Sequence, residues 1–187
     1  MTTTKMTMTK WALDHTHSEV QFKIRHLMIS TVTGQFNKFQ ATVETEEEED
    51  FTTAKVYFSA DIDSISTNNE QRDAHLKSAD FFDAANYPQL KFETERIEKV
   101  DDENYKVYGI ITIKGVSKKI VLNAEFGGVI QDPWGNARTG FSLSGKLNRS
   151  DFGLSFGLVS DAGGVGLANE VKILANVQLV KQIEELA

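Results

Sequence analysis

Val20–Phe36 reads VQFKIRHLMISTVTGQF. Val20, Phe22 and Ile24 alternate with Gln21, Lys23 and Arg25. Successive side chains of a strand point to opposite faces, so this is a strand with one apolar and one polar face. The next residue of the apolar row is His26. An imidazole there has two readings. It is a satisfied, half-buried core residue, or it trims the mouth of a barrel and offers a hydrogen bond to a bound molecule.

The same period of two runs through most of the chain. Trp11 and Leu13 begin it. Val56, Phe58, Ala60 and Ile62 alternate with Tyr57, Ser59 and Asp61. Leu90 and Phe92, then Tyr105 to Ile113, Ile120 to Phe126, Phe141 to Leu147 and Val171 to Leu179 repeat the pattern. The connections read as antiparallel turns. Asp132-Pro133-Trp134-Gly135 suits a type I turn, and Lys114-Gly115 a hairpin. Eight or nine antiparallel strands define an all-β chain, a sandwich or a closed barrel. A barrel of about eight strands is either filled by side chains or holds one small ligand.

One segment departs from this, Ser64–Pro88, SISTNNEQRDAHLKSADFFDAANYP. Thr67 followed by Glu70 is a capping-box signature and predicts a short helix from Asn68 to about Lys77, with Pro88 as the latest stop. On that helix Arg72 and His75 share a face with Leu76 and Ala79. The face is either ordinary solvated surface or a cover over one end of a barrel.

Composition bounds the rest. A chain of 187 residues with no break in composition is one domain, here 11–187, preceded by an extended or disordered segment 1–10. The absence of cysteine excludes disulfides and thiolate chemistry. The net charge of −7 argues against nucleic acid as the main partner. MTTTKMTMTKW has no apolar core of a signal peptide and no run reaches the length of a membrane span, so the expected location is the cytoplasm, or the periplasm if a leader is missing. The acidic run Glu46–Asp50 lacks the spaced oxygen ligands of a calcium loop and reads as a solvated connection.

Catalytic and metal motifs are not found. His15, His17, His26 and His75 have no carboxylate at zinc-binding spacing and no HExxH, so no metal and no other cofactor is expected. There is no GxSxG elbow, and DAGGVG at Asp161–Gly166 lacks the Lys-Ser/Thr of a phosphate loop. The twelve phenylalanines fit either a packed interior or an apolar cavity wall.

HSEVQFKIRHLMISTVTGQF, SISTNNEQRDAHLKSADFFDAANYPQLKF, GIITIKGVSKKIVL and LNRSDFGLSFG, in that order, resemble the YceI-like family of polyisoprenoid-binding, lipocalin-like proteins. The resemblance runs from about Trp11 to Lys181. It implies an extended antiparallel barrel of about eight strands with a short helix near one opening. It also implies a tunnel for a long apolar ligand: an isoprenoid quinone, a polyprenyl phosphate or a fatty amide. It implies no catalytic residues, and it allows a homodimer. The inward alternation and the motifs together give the expected tunnel wall: Phe22, Ile24, His26, Phe39, Phe58, Ile62, Phe82, Phe92, Phe141, Leu143 and Phe152. His26, Arg72, His75, Arg149 and Asp151 are the candidates for a polar head group, with an Arg149–Asp151 clamp as the structural alternative. Two other functional readings stand beside lipid carriage. One is an enzyme on an apolar substrate, with His26 or His75 as general base. The other is a filled barrel acting through its surface.

Overall fold

The computed structural model describes residues 8–27, 29–46, 50–154, 156 and 166–182. Three pairs of strand segments behave as three long strands, each broken once. β1 (Thr9–Leu13) and β2 (Glu19–His26) are separated by a 3-10 turn at His15–His17. β3 (Ser30–Phe36) and β4 (Phe39–Thr45) are separated by Asn37 and Lys38. β5 (Lys55–Asp61) and β6 (Ile65–Ser66) are separated by a 3-10 turn at Ile62–Ser64. β7 (Gln89–Lys99), β8 (Asn104–Ile113), β9 (Val116–Gln131), β10 (Ala137–Asn148) and β11 (Leu167–Lys181) follow, with α1 (Glu70–Lys77) between β6 and β7.

Every pairing is antiparallel. The ring runs β1–β4–β5–β7–β8–β9–β10–β11, and β11 returns to β1 through Leu13↔Leu179 and Trp11↔Lys181. β2 continues along β11, β3 along β2 and β6 along β3, so the three broken strands lengthen one wall. The chain is therefore an all-β, closed antiparallel barrel of eight strands with one short helix. Closure removes the unpaired edges that an open sheet would expose. Of the sandwich and the barrel, which periodicity left open, the β1–β11 pairing selects the barrel.

Local chemistry explains the turns. Gly135 N–H donates to Asp132 C=O at 3.0 Å, which makes Asp132–Gly135 the expected turn. Lys114 and Gly115 both have positive φ, 51° and 75°. That is the mirror-image two-residue turn that matches strand twist in a hairpin. A bulge at Gly127–Gly128 shifts the β9–β10 register between Thr139 and Phe141, and Gly128 takes φ 86°.

The helix differs from its expected cap. Its N-cap is Asn69, whose side chain accepts from Arg72 N–H at 3.0 Å. Thr67 instead donates its hydroxyl and its N–H to Asp73 Oδ1, at 2.6 and 2.8 Å. Asn68, at φ 61°, turns the chain between the two and so lies outside the helix. The strand β1 begins at Thr9, so Thr9 and Lys10 of the segment set apart as N-terminal belong to the barrel.

Candidate ligand cavity

The inward rows of nearly all strands border one cavity of about 510 Å³, within the range of small-molecule sites. Its shaft is apolar. Val20, Phe22 and Ile24 of β2, Ile173 and Ala175 of the adjacent β11 and Phe141 and Leu143 of β10 form one stretch of its wall, with Phe58, Phe92 and Leu122 elsewhere in the lining. Strand alternation places these side chains inward and leaves Lys23 and Lys172 outward.

The two ends differ. At one end Phe51, from a 3-10 turn at Phe51–Thr53, is buried among aromatic rings. Its centroid lies 5.2 Å from Trp11, 5.5 Å from Phe126 and 5.0 Å from Phe141. These rings, with Val43 and Leu179, close that end. At the other end the wall turns polar. His26, Thr67, Arg72, His75 and Arg149 line it there, beside Phe81, Phe82 and Phe156. His26 and Arg72 are solvent-exposed, and Phe156 is 49% exposed, so this end is the mouth. No carboxylate lines the cavity among the described residues.

Each polar group at the mouth has its own state. Arg72 is fixed by Thr67, donating Nε to the hydroxyl at 2.7 Å and Nη2 to the carbonyl at 2.6 Å. Its Nη1 has no hydrogen bond within the described residues. His75 shares a hydrogen bond between Nε2 and Asp80 Oδ2 at 2.9 Å, and its ring meets Phe81 and Phe156 edge-on. His26 has no ring hydrogen bond within the described residues. Of the remaining histidines, His15 packs on Phe39, and His17 bonds Asp14.

Arg149 is different in kind. Only 3% exposed, it donates to four backbone carbonyls: Nε to Ala168 (2.9 Å), Nη1 to Leu154 (2.7 Å) and Phe156 (2.6 Å), and Nη2 to Leu167 (3.1 Å). Burial pushes its guanidinium down from its ordinary pKa. It has no bond to Asp151, which is exposed on the 3-10 turn Arg149–Phe152. The expected clamp therefore forms with backbone rather than with Asp151, because a 3-10 turn replaces the strand at that point.

Phe22, Ile24, His26, Phe58, Phe82, Phe92, Phe141 and Leu143 border the cavity, as do Arg72, His75 and Arg149. Phe39, Ile62 and Phe152 are buried but do not border it, and Asp151 does not reach it. Phe39 adjoins the break between β3 and β4 and lies behind Phe58, at 6.1 Å. Ile62 and Phe152 sit in 3-10 turns, where alternation no longer sets direction. Phe51, Thr67 and Phe156 also border the cavity and are not among the expected wall or head-group residues. Phe51 and Phe156 lie outside the alternating rows that pointed to wall positions.

Fold and cavity together define a closed eight-stranded barrel with a blocked end, a helix near its mouth and a long apolar interior. The chain belongs to the YceI-like domain family, whose model matches residues 11–179. A UPF0312 protein of Staphylococcus aureus strain N315 is 39% identical over 172 residues, covering 91% of this chain and 97% of its own. The crystal structure of the Campylobacter jejuni YceI protein superposes with a TM-score of 0.75 at 37% identity, over 87% of this chain and 91% of its own. A polyisoprenoid-binding domain from Saccharophagus degradans superposes at 0.62 with 14% identity, over 92% and 98%, a likeness of fold.

Proposed function

We propose that this chain binds and carries a long apolar amphiphile, its tail in the shaft and its polar head at the mouth. The observation that supports this most is the distribution of polarity. The shaft is largely apolar, and His26 and Arg72 Nη1, which have no hydrogen bond within the described residues, sit at one end with no carboxylate beside them in the described lining. Each buried methylene adds about 0.8 kcal/mol, so ten give ~8 kcal/mol gross, before association and ordering costs reduce it. The tail then supplies affinity, and the donors set orientation and favour a head with acceptor oxygens, as in a prenyl phosphate or a quinone. The solved relative described as polyisoprenoid-binding agrees with a prenyl tail.

Native mass spectrometry with organic extraction tests this. The purified protein is expected to carry lipid or to take up added polyprenyl phosphate or quinone. Ala175→Trp, which fills the middle of the shaft, is expected to fold and lose uptake. Equal uptake by wild type and variant would place the ligand elsewhere.

One observation favours a second reading. The His75–Asp80 pair has the geometry of an oriented general base at the mouth. Loss of a turnover, with binding retained, in His75→Ala would select it.

A further inference from the structure

The β2–β3 hairpin stands at the mouth and is unusual in its tip, in its anchoring and in its charge. Its tip is apolar and exposed: Leu27 is 37% and Ile29 81% exposed. Leu27 takes φ 55°, a left-handed conformation costly for a bulky side chain and natural for Gly or Asn. The tip is also anchored to the cavity wall. Leu27 N–H donates to Gly166 C=O at 3.0 Å, His26 pairs with Leu167, and all three partners line the mouth. Phe156, half-exposed, adds a further apolar group on the same rim.

The third feature is charge. From Val20 to Val43 the sequence contains Lys23, Arg25, His26 and Lys38 and no carboxylate. Lys23 pairs across strands with Lys172, and Lys172 with Lys146, a row of three like charges on the outer wall below the hairpin. Like charges opposite each other destabilise a sheet. Among the described residues, Glu170 is the carboxylate paired with this row, 3.8 Å from Lys146. The blocked pole is the reverse: Glu46, Asp50, Asp101, Asp102 and Glu103 lie in its connections. A chain of net charge −7 therefore presents an apolar-tipped hairpin with a basic outer wall on one side of the mouth, and acidic connections at the opposite pole. At the mouth Asp73, Asp80 and Asp83, bonded to Thr67, His75 and Asn86, keep their negative charge and with Glu70 and Asp151 oppose the attraction, so the cations that favour a surface are those on the hairpin side of the rim.

We infer that this hairpin docks the barrel, mouth first, on an anionic lipid bilayer. Leu27 and Ile29 enter the interface while Lys23, Arg25 and Lys172 meet the head groups. An apolar tip with cations beside it has the pattern of interfacial membrane binding, and the charge asymmetry turns the mouth toward the surface. The inference rests on lipid carriage for its purpose: a docked mouth lets a tail pass between bilayer and shaft without crossing water.

Co-sedimentation with phosphatidylcholine vesicles, with and without a quarter phosphatidylglycerol, tests it on the full chain. Wild type is expected to bind the anionic vesicles and to release them at high salt. Leu27→Asn with Ile29→Glu suits the backbone at residue 27 and is expected to weaken binding about tenfold or more. Loading of the cavity from detergent solution is expected to stay unchanged. Lys23→Glu with Lys172→Glu is expected to reduce the salt-dependent part. Trp134→Ser, at the opposite pole, is expected to change nothing. Equal binding by the hairpin variant, or loss of binding in Trp134→Ser, overturns the assignment. So does a wild-type dimer that the hairpin variant breaks while neither binds vesicles, which would make the tip a protein interface. Cavity loading without vesicle binding overturns docking alone. Vesicle binding with an empty, unloadable cavity leaves docking standing and overturns carriage.

Discussion

Arg149 shows how one residue can be found by its motif and misread by its chemistry. In LNRSDFG it resembles half of an ion pair or a head-group ligand. In the fold its guanidinium ties the end of β10 to the start of β11 through the Leu167 and Ala168 carbonyls, and to the segment after the 3-10 turn through those of Leu154 and Phe156. A buried cation with no carboxylate partner among the described residues is tolerated because four oxygen dipoles surround it. Arg149→Met is expected to lower stability by about 3 kcal/mol or more, since the carbonyls lose charged donors. Urea unfolding measures this. Asp151→Asn, exposed and without a bond to Arg149, is expected to leave the curve unchanged. Thr67 occupies two of the Arg72 nitrogens, and the third has no partner among the described residues.

At the scale of elements, the interior is shaped by cross-strand pairs of glycine with a large neighbour. Phe22 of β2 pairs with Gly34 of β3, and a Cβ on Gly34 would lie 2.1 Å from the Phe22 ring. Gly109 of β8, whose registered partner is Thr94, meets the Phe92 ring diagonally, and Gly145 of β10 meets Leu122 at similarly close range. Each glycine lets a side chain lie flat against the wall and keeps the shaft open. Gly34→Val is expected to drive Phe22 into the cavity. The cost is about 1–3 kcal/mol by overpacking, with weaker uptake of a long tail, checked by thermal unfolding and lipid titration of the same variant. The helix obeys the opposite logic. Eight residues make a marginal helix in water, so its place depends on packing of Leu76 and its neighbours Phe81 and Phe82 on the core.

At the scale of the molecule, the seam of the barrel depends on charge as well as on strand pairing. Arg138 of β10 bridges Asp132 in the β9–β10 turn, at 2.7 Å, and Asp14 at the break of the first long strand, at 2.8 Å. The His17 and Thr16 side chains and then Arg138 hold the Asp14 carboxyl well below the usual carboxylate range, and Arg138 lowers that of Asp132. Carboxyls depressed in the folded state stabilise it above their unfolded pKa near 4 and lose that contribution as pH falls further. Arg138→Met is expected to lower the melting temperature most at neutral pH. Its difference from wild type is expected to shrink below about pH 4 in a pH series of melts. A constant difference would assign Arg138 a packing role.

The sequence by itself determined that the chain is all-β, that a short helix interrupts it and which rows face inward. These are local properties: alternation, turn residues and helix formers act within a few neighbours. It also brought Phe22, Ile24, Phe58, Phe92, Phe141 and Leu143 to the wall, because strand faces follow from parity alone. Phe39, Ile62 and Phe152 escaped that rule where strands break into turns. Only the tertiary structure decided that the sheet closes, since Leu13 and Leu179 meet across nearly the whole chain. It alone decided that Phe51 blocks one end, and that His26, Arg72 and His75 gather at the other. Those outcomes depend on which distant segments pair, and the two-residue period of a strand contains no record of its partner.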